Sequence, residues 1–286
     1  MKSITVTGWL LAALCMLPPA LQAQTAREVR KQAEASMLVT GTIDIQPDGS
    51  VSGHALDAAD KLPAYVVDLV RRAVPALRFE PVLADGQPVV ARAKMSLRLV
   101  ARPGDEGNMV VGIRSAHFGE EDLLSTDQVR PLKLPPPLYP EAALQVGGKG
   151  TAYVLIQGGR DGKVIDAVVE QVTLRVAGPE REMESLRRQL TEASLRAARR
   201  WTFLPPTTGD HIDDPHWSVR VPVDYALHGE RNVEDVPGQW VGYVPGPRQR
   251  ASWITKDDVS GSPDAVAGGG IYPAHSRFKL LTPLGG

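Results

Sequence analysis

The side chains best suited to chemistry sit together in one short stretch, His211-Ile-Asp-Asp-Pro-His216. Two imidazoles and two carboxylates are ligand types for zinc or a similar ion. Their spacing matches no closed-site pattern, and polar loops before strands often look like this, so no metal site is assigned. The remaining histidines, His54, His117, His228 and His275, are scattered. No Gly-x-Ser-x-Gly elbow and no His-Glu-x-x-His helix occurs. Gly158-Gly-Arg-Asp-Gly162 has phosphate-loop glycines but no Lys-Ser/Thr helix start, so it reads as a hairpin. The one cysteine, Cys15, falls in an apolar leader. The expectation is a protein with no catalytic residues and no cofactor.

Backbone chemistry is the other possibility. Trp217-Ser-Val-Arg-Val-Pro-Val-Asp-Tyr225 alternates apolar and polar residues, the pattern of a strand with one buried face. Val219, Val221, Val223 and Tyr225 would face a helix, and Arg220 and Asp224 would face out. Pro222 has no N–H, which suits an edge position. A sheet edge leaves N–H and C=O groups free to accept another strand. Trp217, Ser218, Val219, Arg220, Val221, Val223, Asp224 and Tyr225 are therefore the candidate partner-binding edge. The alternative is an edge covered by the tail or by the first unit, which binds nothing.

Two units position such an edge, and they repeat each other. Gly41-Thr-Ile-Asp-Ile-Gln-Pro-Asp-Gly-Ser-Val51 matches Gly150 to Val164 in plan, a strand entering an Asp-Gly hairpin. Leu77-Arg-Phe-Glu-Pro81 matches Trp201-Thr-Phe-Leu-Pro205 at a helix exit. In the first unit, Asp60 is a plausible N-cap for a helix from about Pro63, with Val66, Leu69, Val70, Ala73 and Leu77 at helical spacing. In the second, Met183, Leu186, Leu190, Ala193, Ala197 and Trp201 form the apolar stripe. Arg187, Arg188, Arg196, Arg199 and Arg200 lie opposite, on what reads as a solvated face. The expected fold is α+β: two tandem two-layer modules in ββαβ order, each a three-stranded antiparallel sheet covered by one or two helices.

The remaining segments divide accordingly. Residues 1–23 have the basic start, apolar run and small residue of a secretory signal peptide, and Pro18-Pro19 cuts the run short of the about 20 residues an anchor needs. Residues 24–36 are a linker, 37–101 the first module, 102–130 a linker in which Met109–Ile113 adds a possible strand, and 131–228 the second module. Residues 229–286 are a Gly/Pro-rich, largely irregular tail, apart from Gln239–Val244, which has strand character. A formal net charge of −1 gives no field for nucleic acid.

The second module resembles the C-terminal domain of TonB-type energy transducers. The resemblance rests on Tyr139-Pro140 with Ala143, Gly150, Asp161-Gly162, Trp201 with Phe203 and Pro205, and Val219-Arg-Val-Pro-Val223. It covers roughly 90 residues. The first unit, through Phe79 and Pro81, resembles a degenerate copy lacking the Tyr-Pro helix. The resemblance implies a periplasmic protein that binds the periplasmic peptide of an outer-membrane transporter along its last strand. An inner-membrane energising complex becomes a partner only if the leader stays uncleaved. The alternative is a soluble periplasmic scaffold without coupling to the proton motive force.

Overall fold

The computed structural model describes residues 34–105, 108–120, 125–209, 211–227, 236–254 and 261–284. The leader expected at 1–23 lies outside them, with most of the 24–36 linker. The strands are β1 (Glu34–Ile45), β2 (Val51–Leu56), β3 (Leu83–Ala84), β4 (Gln87–Pro88), β5 (Ala91–Pro103), β6 (Met109–Gly119) and β7 (Arg130–Lys133). They continue with β8 (Gly150–Gly159), β9 (Val164–Leu174), β10 (Thr202–Leu204), β11 (His216–Tyr225), β12 (Val241–Pro245) and β13 (Tyr272–Pro273). The helices are α1 (Ala64–Ala73), α2 (Glu141–Gln145) and α3 (Glu180–Ala198).

The expectation of two separate three-stranded modules is overturned. Nine strands form one antiparallel sheet in the order β13-β11-β8-β9-β12-β1-β5-β6, with β2 also on β1. The joint is β12. It pairs with β9 at Leu174 and Thr173 and with β1 at Glu34, Ala35 and Ser36. The segment that fuses the halves thus comes from the one stretch of the tail with strand character, Gln239–Val244, on which β12 is built. The tail is not irregular filler. Ala251, Ile254, Ala265, Val266, Ile271, Ala274 and Phe278 are all buried. The other additions are β6, from the segment read as a linker, and β13.

The hairpin–helix–strand plan recurs within this sheet at atomic detail. Gly49 (φ 78°) and Gly162 (φ 75°) both adopt the left-handed backbone that glycine tolerates best. The Phe79 N–H donates to the Gly49 carbonyl, and the Phe203 N–H to the Gly162 carbonyl, each at 2.9 Å. A Cβ on either glycine would meet the carbonyl oxygen of its Phe at 2.0 or 2.2 Å. Each hairpin tip is thereby tied to its helix exit.

Each helix covers the convex face of its own half. Val66 and Val70 of α1 pack with Ile43, Ile45, Met95, Leu97 and Leu99. Met183, Leu186, Leu190, Ala193 and Ala197 of α3 pack with Val154, Ile156, Val219 and Val223. Asp60 is not the N-cap of α1. It lies in the preceding Ala59–Lys61 turn, and Pro63 precedes the helix without a side-chain cap. Pro75, lacking an N–H, ends α1 in the tighter turn Val74–Ala76.

The opposite face is concave and filled. Arg98 on β5 reaches the Tyr153 hydroxyl on β8 at 3.4 Å, and His117 on β6 meets Tyr272 on β13 edge to face at 5.4 Å. These strands are far apart in sheet order, so the sheet curls round. The tail occupies the hollow, with the turn Pro263–Ala265 set against β5, β6 and β9.

Candidate functional site

The strand β11 has the expected alternation. Trp217, Val219, Val221, Val223 and Tyr225 join the core under α3. The indole of Trp217 lies over Gly158, where a Cβ would stand 2.0 Å from the ring, and it donates to the Gly159 carbonyl at 3.1 Å. Phe203 packs on it at 5.0 Å. The Tyr225 hydroxyl bonds with Ser194 Oγ at 2.8 Å, and burial pushes its pKa up to about 12.

The other face departs from expectation. Arg220 does not face out; it is fully buried, and its guanidinium pairs with Glu170, with Nη2 3.2 Å from Oε1. The β8–β9 ladder passes from Tyr153↔Gln171 to Val154↔Val169, skipping Glu170. Such a bulge re-aims a side chain, here onto the arginine. Asp224 is also largely covered and takes a hydrogen bond from Arg175 at 2.5 Å. Ser218 accepts the Trp253 indole N–H at 3.2 Å. A lone buried arginine would be prohibitively costly, so these partners are what permit the face to close.

The outer edge of β11 is occupied over part of its length. Val219 pairs with Pro273 and Arg220 with Tyr272, and the Ala274 N–H donates to the Ser218 carbonyl at 2.9 Å. Backbone groups alternate sides along a strand. Ser218, Arg220, Pro222 and Asp224 therefore direct theirs outward, and the proline falls where no N–H is required. Beyond Arg220 no further pairing to β13 is made.

The other motif residues support this strand. The Tyr139 hydroxyl donates to the Gly148 carbonyl, and its ring meets Tyr225 at 5.5 Å. Pro140 precedes α2, and Ala143 of that helix is buried. A Cβ on Gly150 would stand 2.5 Å from the Thr173 carbonyl oxygen. Asp161 accepts the Lys163 N–H at 3.0 Å within the hairpin. Trp201 donates to the Pro135 carbonyl at 2.9 Å. Phe203 is buried and Pro205 half-buried just past β10, whereas Pro81 is exposed. His211 bonds to Asp214 at 2.8 Å in an exposed loop, and His216 begins β11.

Sequence reasoning missed the polar centre of the hollow. Arg98, a charged residue in the middle of β5, is fully buried. It donates to the Asp264 carbonyl at 2.8 Å and to Ser36 Oγ at 3.3 Å. The Asp264 carboxylate accepts Ser115 at 3.0 Å, Ser262 at 2.6 Å and the Tyr243 hydroxyl. Burial works to raise its pKa, but Ser262, Tyr243 and Arg98 outweigh that and hold it below the usual value. Asp264 lies among Gly, Ser and Pro with no periodicity, so no local pattern marks it. Near the start of β11 a cavity of about 750 Å³ opens, lined by His117, Glu120, Trp217, Trp253 and His275 among others.

No family model and no curated protein matches the chain. Among solved structures, the solution NMR structure of the Pseudomonas aeruginosa TonB CTD is similar, with 24% identity and a TM-score of 0.25. The match covers 38% of this chain and 95% of that one.

Proposed function

We propose that this chain is a TonB-like protein-interaction module of the bacterial periplasm, exported by its leader. In this reading β11 takes up an extended segment of an outer-membrane transporter, antiparallel along its outer edge. The observation that carries it is the placement of β13: the chain lays its own extended tail on that edge. Two ladder pairs, at Val219 and Arg220, and the Ala274 N–H to the Ser218 carbonyl are what join it to β11. A short antiparallel segment is thus accepted there, and little pairing holds it. The Tyr139-Pro140, Gly162 and Phe203 motif supports the same reading.

A second reading, a periplasmic scaffold without energy coupling, is favoured by one feature. The tail is tied into the interior through Asp264 and Tyr243 and fuses the halves through β12, so the tail completes the fold. Coupling to an inner-membrane complex requires the leader to remain as an anchor, and the N-terminal residue of the protein from its host decides that point.

Titrating the full chain with extended transporter peptides, followed by amide NMR, tests the binding mode. Shifts are expected along Ser218–Tyr225 and at Tyr272–Ala274. Ala274→Pro removes the hydrogen bond to Ser218, worth about 1 kcal/mol, and should tighten binding about fivefold. The absence of shifts at β11 in both proteins would overturn the reading.

A further inference from the structure

The far end of the sheet carries a second edge. In its C-terminal half β6 is covered: Ala116 O accepts the Ser262 N–H at 3.3 Å and Phe118 O accepts Ser276 Oγ at 2.8 Å. Its first half, Met109-Val-Val-Gly-Ile113, pairs with β5 and, among the described residues, with no other strand. Met109 is 54% and Val110 51% exposed. The segment has no charge and no proline, the usual protections of an exposed edge.

Its geometry can be worked out from the covered half. Ala116 and Phe118 point their carbonyls away from β5, toward the tail. The β5–β6 ladder passes from Arg98↔Ser115 to Leu99↔Ile113, skipping Arg114. Alternation then directs the backbone groups of Ile113, Val111 and Met109 outward as well. Their side chains lie on the convex face, where Ile113 belongs to the core under α1 and Val111 packs against it. That apolar layer stops at this edge with Met109 exposed.

We propose that this edge is a homodimer interface, in which two copies of the chain pair antiparallel through β6 about a two-fold axis at Val111. In that register Val111 faces Val111 of the second copy, Met109 faces Ile113, and Val110 faces Gly112. Each pair is apolar or small, so no like charges oppose across the axis. Arg114, the nearest cation on the strand, is paired with Glu34 at 3.4 Å. The second copy continues the layer under α1 across the axis and satisfies the outward backbone groups of Met109, Val111 and Ile113. One pairing serves both copies, as an isologous contact requires. So short a ladder gives a weak dimer, with Kd about micromolar or weaker.

Sedimentation equilibrium of the full chain over a concentration series tests this, with amide exchange as a second readout. The expected result is a monomer–dimer equilibrium, with the Met109, Val111 and Ile113 amides gaining protection as concentration rises. Val111→Pro removes an outward N–H that no described residue of the monomer accepts. It should weaken dimerisation at least about tenfold while leaving the unfolding midpoint near wild type. Val111→Lys, which keeps the backbone intact, should do the same if the proline variant fails to fold. A strictly monomeric wild-type chain, or a dimer undiminished in the folded variants, would overturn the proposal.

Discussion

The two halves share a hairpin, a covering helix and a third strand, yet they finish that third strand differently. In the N-terminal half β5 is zipped to β6 from Lys94 to Pro103. In the C-terminal half β11 meets a tail strand over Ser218 to Arg220. The buried arginines differ in the same sense. Arg220 is neutralised by Glu170 within its own half, whereas Arg98 depends on Asp264, which arrives from the tail. One plan thus yields a permanently closed edge and a lightly held one. What differs is the strand laid against the third one: eleven residues long in one case, two in the other.

Removing the acids tests the contrast most severely. Glu170→Ala leaves buried Arg220 without its acidic partner, and Asp264→Ala removes the buried carboxylate that accepts Ser115, Ser262 and Tyr243 and offsets the charge of Arg98; each should cost about 3–5 kcal/mol in urea unfolding. The comparison predicts distinct consequences. Glu170→Ala should loosen amide protection in β8, β9 and β11, and Asp264→Ala in the tail and β5. Arg92→Ala, which breaks an exposed pair with Asp44, should cost under about 1 kcal/mol. Equal loosening of both halves by either acid variant would end the distinction.

The hairpins test what the halves share. Gly49→Ala and Gly162→Ala force a side chain into a left-handed turn and against a Phe carbonyl. Each should cost about 2 kcal/mol, with the two values close. A cost at one position only would mean that the repeat is superficial.

Titration tests the hollow from another side. Burial, with a further push from Arg220, lowers the His117 pKa to about 3 from an ordinary 6.5. The unfolded chain therefore binds a proton that the folded chain refuses between those values. This contribution is complete above pH 6.5 and is lost as pH falls, by about 1.4 kcal/mol per unit below 6.5. The Asp264 contribution fades only at lower pH, below the ordinary carboxylate value, because its folded pKa is depressed. His117→Gln should flatten unfolding midpoints measured from pH 7 to pH 5. An equally steep profile would show that His117 is not the group responsible.

The sequence shows what is local. Glycine at 49 and 162, Phe at 79 and 203, the helical stripes and the alternation of β11 are legible because a turn, a helix or a pleat dictates each residue type. The sheet order is not, since β12 and β13 are five and two residues long and lie in Gly/Pro-rich chain. Arg98 and Arg220 follow the polar positions of a half-wet strand, and nothing near them in sequence announces a lid. For Arg98 the partner stands 166 residues away. The candidate edge could be identified as a strand, but its cover could not.

The central claim, that the tail holds the place of a partner on β11, is tested most directly by hydrogen exchange of the Ala274 amide in the full chain with and without a bound transporter peptide. Without peptide it should exchange by local opening, well before the β5–β6 ladder. With peptide, Ala274 exchange should quicken while Asp224 becomes protected. Exchange of Ala274 only on global unfolding, unchanged by a peptide that binds, would contradict the account.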